Sequence, residues 1–73
     1  MKKASLVQRL GLAIRKRREA LGISQEQFAD TIHMHRAYYS AIERGEKNLT
    51  LVTLHRVAAG LGTTMVDLLS GVE

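Results

Sequence analysis

The chain has 73 residues, a size expected to form one domain with a small core, because so short a chain buries only about 60% of the surface it exposes when unfolded. Hydrophobic residues make up 45% and charged residues 25%, with no Cys, Pro or Trp, which excludes a disulfide framework or thiolate metal site and argues against an aromatic-rich β-sandwich or barrel. The formal net charge is +4, and Lys2, Lys3, Arg9, Arg15, Lys16, Arg17 and Arg18 open the chain with no acid among them, so the expected partner is a polyanion, unless the cluster is only a solvated helix face.

In chain order, a first helix is expected from about Ser5 to Leu21, with Leu6, Leu10, Ala13, Ile14 and Leu21 at three-to-four spacing and Gly22 as its stop. Ser24 with Gln27 three residues on is a capping box, opening a short second helix from Gln25 to about Ile32 with Phe28, Ala29 and Ile32 inward. After the turn His33-Met34-His35, a third helix runs from about Arg36 to Arg44, with Tyr39 and Ile42 inward and Gly45 closing it. The loop Glu46-Lys47-Asn48-Leu49 follows. Thr50 caps a fourth helix whose Leu51, Leu54, Val57, Ala58 and Leu61 form an apolar stripe, and Thr64 with Asp67 caps a last short helix through Leu69. The expected fold is all-α: one compact five-helix bundle over residues 1–73 containing a helix-turn-helix at about 25–44.

No apolar run approaches the ~20 residues of a membrane span, and Gln8, Arg9 and Arg15–Arg18 interrupt any signal-peptide core, so no membrane partner and a cytoplasmic location are expected. Two short helices joined by a few residues have helix-turn-helix geometry, with the small Ala29 at the close approach and Phe28, Ile32, Met34, Tyr39 and Ile42 facing the rest of the domain. The outward face of the third helix reads Arg36, Ala37, Tyr38, Ser40, Ala41 and Arg44, with no acid in phase with them. Such a helix can enter the ~12 Å major groove of DNA.

The segments SQEQFA, MHRAYYSAIERGEKN and LTLVTLHRVAAGLGTTMVDLL resemble the Xre/lambdoid-repressor family of helix-turn-helix regulators, and within it the short controller proteins of restriction–modification systems. The resemblance covers about residues 6–69. It implies base contacts from Arg36, Ala37, Tyr38, Ser40 and Ala41, and phosphate contacts from Gln25, His35, Arg44 and Asn48. Of the Arg15–Arg17 run, Arg17 is expected to be a further phosphate contact. Arg18 and Glu43 match a buried ion pair tying the first helix to the recognition helix. His33 stands where the family often has Gly, and positive φ is tolerable but uncommon for His. Tyr39 replaces the usual Ile or Val and brings a hydroxyl that needs a partner.

His33 and His35 invite a metal reading, but two imidazoles fall short of the four ligands of a closed zinc site, so no metal and no cofactor is expected. Glu19, Glu26 and Asp30 lack a cleft, and no nucleophile with its base and no phosphate-cradling Gly loop is recognisable, so the chain is not expected to be an enzyme. Val52, His55, Met65, Val66 and Leu69 suggest an apolar surface on the last two helices, about residues 50–69, and the family resemblance implies a twofold homodimer through it. The resulting expectation is a homodimeric regulator of double-stranded DNA acting on a symmetric operator, with its own concentration as input and RNA polymerase as a further candidate partner. An antitoxin or small phage repressor of the same fold is the alternative, and an interaction module that has lost DNA binding is the alternative from another class.

Overall fold

The structure is a computed structural model that describes residues 4–72, so Lys2 and Lys3 of the basic run lie outside the described residues. The order of elements is α1 (Leu6–Ala20), α2 (Gln25–Thr31), α3 (Arg36–Glu43), α4 (Leu51–Gly60) and α5 (Met65–Leu69). Hydroxyl side chains set where four of them begin. Ser5, Ser24, Thr50 and Thr64 each accept a hydrogen bond from the amide three residues on, which satisfies a backbone donor that the first turn leaves without a helical partner. At α1 and α2 the N-cap amides of Ser5 and Ser24 donate in return to the side-chain oxygens of Gln8 and Gln27, completing a capping box.

The core is built around Ile14, Phe28, Tyr39, Ile42, Val57 and Leu68, so every helix contributes to it. The rings of Phe28 and Tyr39 lie 5.0 Å apart at a tilt of 54°, an aromatic pair worth about 0.5–1.5 kcal/mol beyond its buried area. α3 packs on both α1 and α2, and α5 closes the bundle against α1 and α4. The Cα radius of gyration of 11.3 Å matches the ~11 Å expected for one domain of this length.

Close helix approach depends on Gly11. A Cβ there would stand 2.5 Å from the Ile42 carbonyl oxygen and 2.6 Å from that of Glu43, so α1 can rest on the α3 backbone only because that side chain is missing. At the other end of the contact, Gly45 combines a positive φ of 72° with a Cβ direction aimed at the Gln8 backbone.

The apolar stripes are shorter than the spacing suggests. Leu6 and Leu21, at the two ends of the α1 stripe, are half exposed. Leu51, in the first turn of α4, is 74% exposed and does not join Leu54, Val57 and Ala58 in the core. Among the described residues no helix is long and apolar enough to cross a membrane.

Candidate nucleic-acid interface

The site grows from a buried carboxylate. Glu43, at the end of α3, has 7% residual exposure, and a lone buried charge would be costly without compensation. Arg18 of α1 supplies it through a two-pronged contact, Nε to Oε2 at 2.7 Å and Nη2 to Oε1 at 3.2 Å. The Gln25 amide of α2 donates to Oε1 at 2.8 Å, and the Tyr39 hydroxyl, one turn back on α3, donates to Oε2. Arg18 also donates to the Ile23 carbonyl at 2.7 Å, so the segment between α1 and α2 is held by the same guanidinium. No buried side-chain nitrogen or oxygen is left without a partner among the described residues.

Protonation follows from this geometry. Burial pushes the Glu43 carboxyl up, but hydrogen bonds from Arg18, Tyr39 and Gln25, together with the Arg18 charge, outweigh it and hold the group below its ordinary value. The hydrogen bond to Glu43 raises the Arg18 pKa against the opposing effect of burial. Burial, then the bond to the Glu43 carboxylate, raises Tyr39, so the hydroxyl keeps its proton and remains a donor.

This network fixes α3, and the first turn of that helix faces outward. Arg36, Ala37 and Tyr38 are exposed, and so is His35 at the N-cap. The His35 side chain makes no capping bond, in contrast to the four hydroxyl caps, and no acid lies in the first turn of α3. The three ion pairs among the described residues are Arg15–Glu19, Arg18–Glu43 and Arg44–Glu46, and Arg36 is in none of them. An open depression lined by His35, Arg36, Ala37, Ser40 and Arg44 runs along this face. Beside it, the Lys47 ammonium lies 5.7 Å from the centre of the Tyr38 ring, within cation–π reach.

Several residues expected on this face are placed otherwise. Ala41 is buried at 6% exposure and is not available to a duplex. Ser40 is buried at 8%, and its hydroxyl donates to the Gln25 side-chain oxygen at 2.7 Å, so it positions Gln25 rather than reading bases. Gln25 is held from both ends of its amide, by Ser40 and by Glu43, so its side chain is part of the buried network behind α3. Arg17 donates to the Asp67 carbonyl of α5 at 3.2 Å and ties two helices together. Arg44 is exposed but engaged with Glu46 in a surface pair, and Asn48 is exposed in the following loop. Of the residues expected at the dimer surface, Val52, His55, Val66 and Leu69 are exposed, whereas Met65 is partly buried and packs on the core.

Sequence reasoning missed three features. Glu26 and Asp30 of α2 line a second depression beside His35 and Arg36, so acids do border the basic edge; their position on α2 was legible, their proximity was not. Gly11 was readable as a glycine inside an amphipathic helix, away from any cap. Arg56 of α4 donates to the Ile32 carbonyl at 2.5 Å and the His33 carbonyl at 3.1 Å, and nothing in the local pattern pointed to it. Among the described residues no group of three or more His, Asp or Glu side chains could hold a metal ion.

Comparison with known proteins places this arrangement. The chain is 46% identical over 66 residues to the control protein C.MunI of Mycoplasma sp, covering 89% of each chain. It superposes on the restriction-modification controller protein C.AhdI from Aeromonas hydrophila with a TM-score of 0.80 at 35% identity, covering 86% of this chain and 94% of that one. It superposes on the controller protein C.Esp1396I, solved as a tetramer with its natural 35 base-pair operator, with a TM-score of 0.84 at 30% identity, covering 96% and 92%. The helix-turn-helix family model matches residues 14–68, from the second half of α1 into α5, and the chain belongs to that family.

Proposed function

We propose that the protein is a sequence-specific DNA-binding transcriptional regulator of the restriction–modification controller type, working as a homodimer on a symmetric operator. The observation that carries this reading is the outward first turn of α3. Arg36, Ala37 and Tyr38 stand exposed behind an N-cap whose side chain does not cap, on a helix anchored from behind by the buried Glu43. Arg36 is the base-reading side chain, because a guanidinium with no hydrogen-bond or ion-pair partner among the described residues can give two parallel hydrogen bonds to guanine O6 and N7. Ala37 and Tyr38 contact neighbouring base edges. His35, Lys47 and Asn48, with Arg44 once it leaves Glu46, meet phosphates on either side. Relatives described as restriction–modification controllers, one solved with its operator, support the assignment.

The dimer face lies on α4 and α5. Val52 is 71% exposed and Val66 78%, with Leu51 and Leu69 also exposed, an apolar surface that a second copy of the chain would cover. A twofold axis there presents two recognition helices to half-sites about 34 Å apart.

Selection of bound sites from random duplex DNA tests the reading. It should return an inverted repeat, with affinity falling steeply as salt rises. Recovery of no preferred sequence would leave only an interaction module with the same fold. Val52→Lys and Leu69→Lys should shift sedimentation toward the monomer; a dimer that persists in both places the interface elsewhere.

A further inference from the structure

We infer that Arg56 is a positioning residue for DNA recognition: from α4 it clamps the turn between α2 and α3, and so fixes the reading helix relative to the α4 face assigned to the dimer. The inference rests on the DNA-binding reading above and deepens it.

Three helix ends share one hydrogen-bond pattern. At the end of α2, the His33 amide donates to Asp30 at 3.1 Å and the Met34 amide to Ala29 at 2.8 Å. At α3, Gly45 donates to Ile42 at 3.0 Å and Glu46 to Ala41 at 2.9 Å. At α4, Gly62 donates to Ala59 and Thr63 to Ala58, both at 3.0 Å. All three are Schellman ends, which place one residue in the left-handed region. That residue is Gly at α3 and α4, with φ of 72° and 73°, but it is His33 at α2, with φ of 55°. A Cβ in that region crowds the following carbonyl, so the α2 end is the strained one.

It is also the end that another helix braces. Nη2 of Arg56 donates to the carbonyls of both Ile32 and His33, the two groups that leave the helix at the strained residue. A cation there also meets the negative end of the α2 dipole. Among the described residues, neither α3 nor α4 has a side chain donating to the corresponding carbonyls. The braced turn leads directly into His35, the N-cap of α3, and then into Arg36, Ala37 and Tyr38. Arg56 lies four residues after Val52 on α4, and both are exposed, so the clamp and the proposed dimer face share one side of one helix. A rotation of the turn would re-aim each reading helix against its partner, and a two-half-site operator would register it.

The test uses the full chain, the operator recovered by site selection and an unrelated duplex of equal length. Arg56→Met removes the donors, and Arg56→Lys keeps the charge on a stem one atom too short to reach both carbonyls. Each is made alone and combined with His33→Gly, which accepts a left-handed conformation without crowding. Both single variants should weaken operator binding roughly tenfold, within the range of coupled sites, and leave the unrelated duplex and the salt slope within about twofold of wild type. On the His33→Gly background the loss should shrink to about threefold or less. Circular dichroism melting checks that each variant is folded, and Arg56→Lys carries the test if Arg56→Met is not. Equal losses on both duplexes with a reduced salt slope, rescued by lysine and not by glycine, would make Arg56 a phosphate contact and overturn the inference. Operator binding unchanged in both variants would overturn it too. A wild-type chain that prefers no duplex would instead sink the DNA-binding reading itself, which separates the two failures.

Discussion

Helix α1 and the start of α3 both present arginine, and they use it differently. On α1, Arg9 donates to the carbonyls of Val72 and Ala4, Arg15 pairs with Glu19, Arg17 reaches Asp67 and Arg18 holds Glu43 and Ile23. The helix with the densest positive charge thus has its guanidiniums turned to the fold's own carbonyls and carboxylates. On α3, Arg36 is exposed and outside every ion pair among the described residues. The lesson is that charge density along a sequence measures long-range attraction, whereas recognition needs donors left over after the fold has taken its share.

The largest expected effect breaks the α1 side of that contrast. Glu43→Ala leaves the buried Arg18 without its carboxylate and should cost about 3–5 kcal/mol of stability in denaturant unfolding. A midpoint close to that of wild type would mean that the pair does not hold α3. Next, the two arginines can be set against each other. Arg36→Ala should weaken operator binding by about 1–3 kcal/mol with an unchanged melting temperature. Arg17→Ala should reverse the pattern, losing about 0.5–1.5 kcal/mol of stability with its hydrogen bond to α5 and leaving sequence preference intact. Titration of one labelled operator with both variants reads the difference directly.

Effects well below that of Glu43→Ala sharpen the buried network. Tyr39→Phe should cost about 1–2 kcal/mol, because Glu43 loses one of its donors while Arg18 and Gln25 remain. The pH dependence has two limbs. The Glu43 carboxyl is held below its ordinary value of 4.5 in the fold, so its contribution is present above that pH and is lost as pH falls through the folded-state value. Tyr39 is raised above its ordinary value of 10.0, so stability should also fall as pH climbs past about 10. Chemical unfolding across pH should show both limbs in the wild type, with the alkaline limb flattened in Tyr39→Phe.

Much of this was legible in the residues. Hydroxyl caps at Ser24, Thr50 and Thr64 and glycine stops mark the helices to within a residue or two, because capping is local chemistry. The left-handed His33 is visible as a residue in a place that suits glycine. What failed was the inference of faces. Arg36, Ser40 and Arg44 share a face by spacing, as do Ala37 and Ala41, and a helix buried on one side would expose them together. The second half of α3 is instead buried all round, from Tyr39 to Glu43, because α1 reaches its backbone over Gly11 while the Gln25 side chain of α2 covers Ser40. Leu51 fails for the opposite reason: it keeps the stripe's phase but lies a turn outside the core. Periodicity reports the direction of a side chain, and enclosure by other helices is tertiary.

The account turns on which surface meets DNA, and backbone amide shifts of the labelled protein, followed as operator duplex is added, test that most directly. The account predicts that the largest changes fall on His35, Arg36, Ala37 and Tyr38 and on the loop through Lys47 and Asn48. Changes concentrated on Arg15, Lys16 and Arg17 of α1, with the start of α3 unmoved, would contradict it.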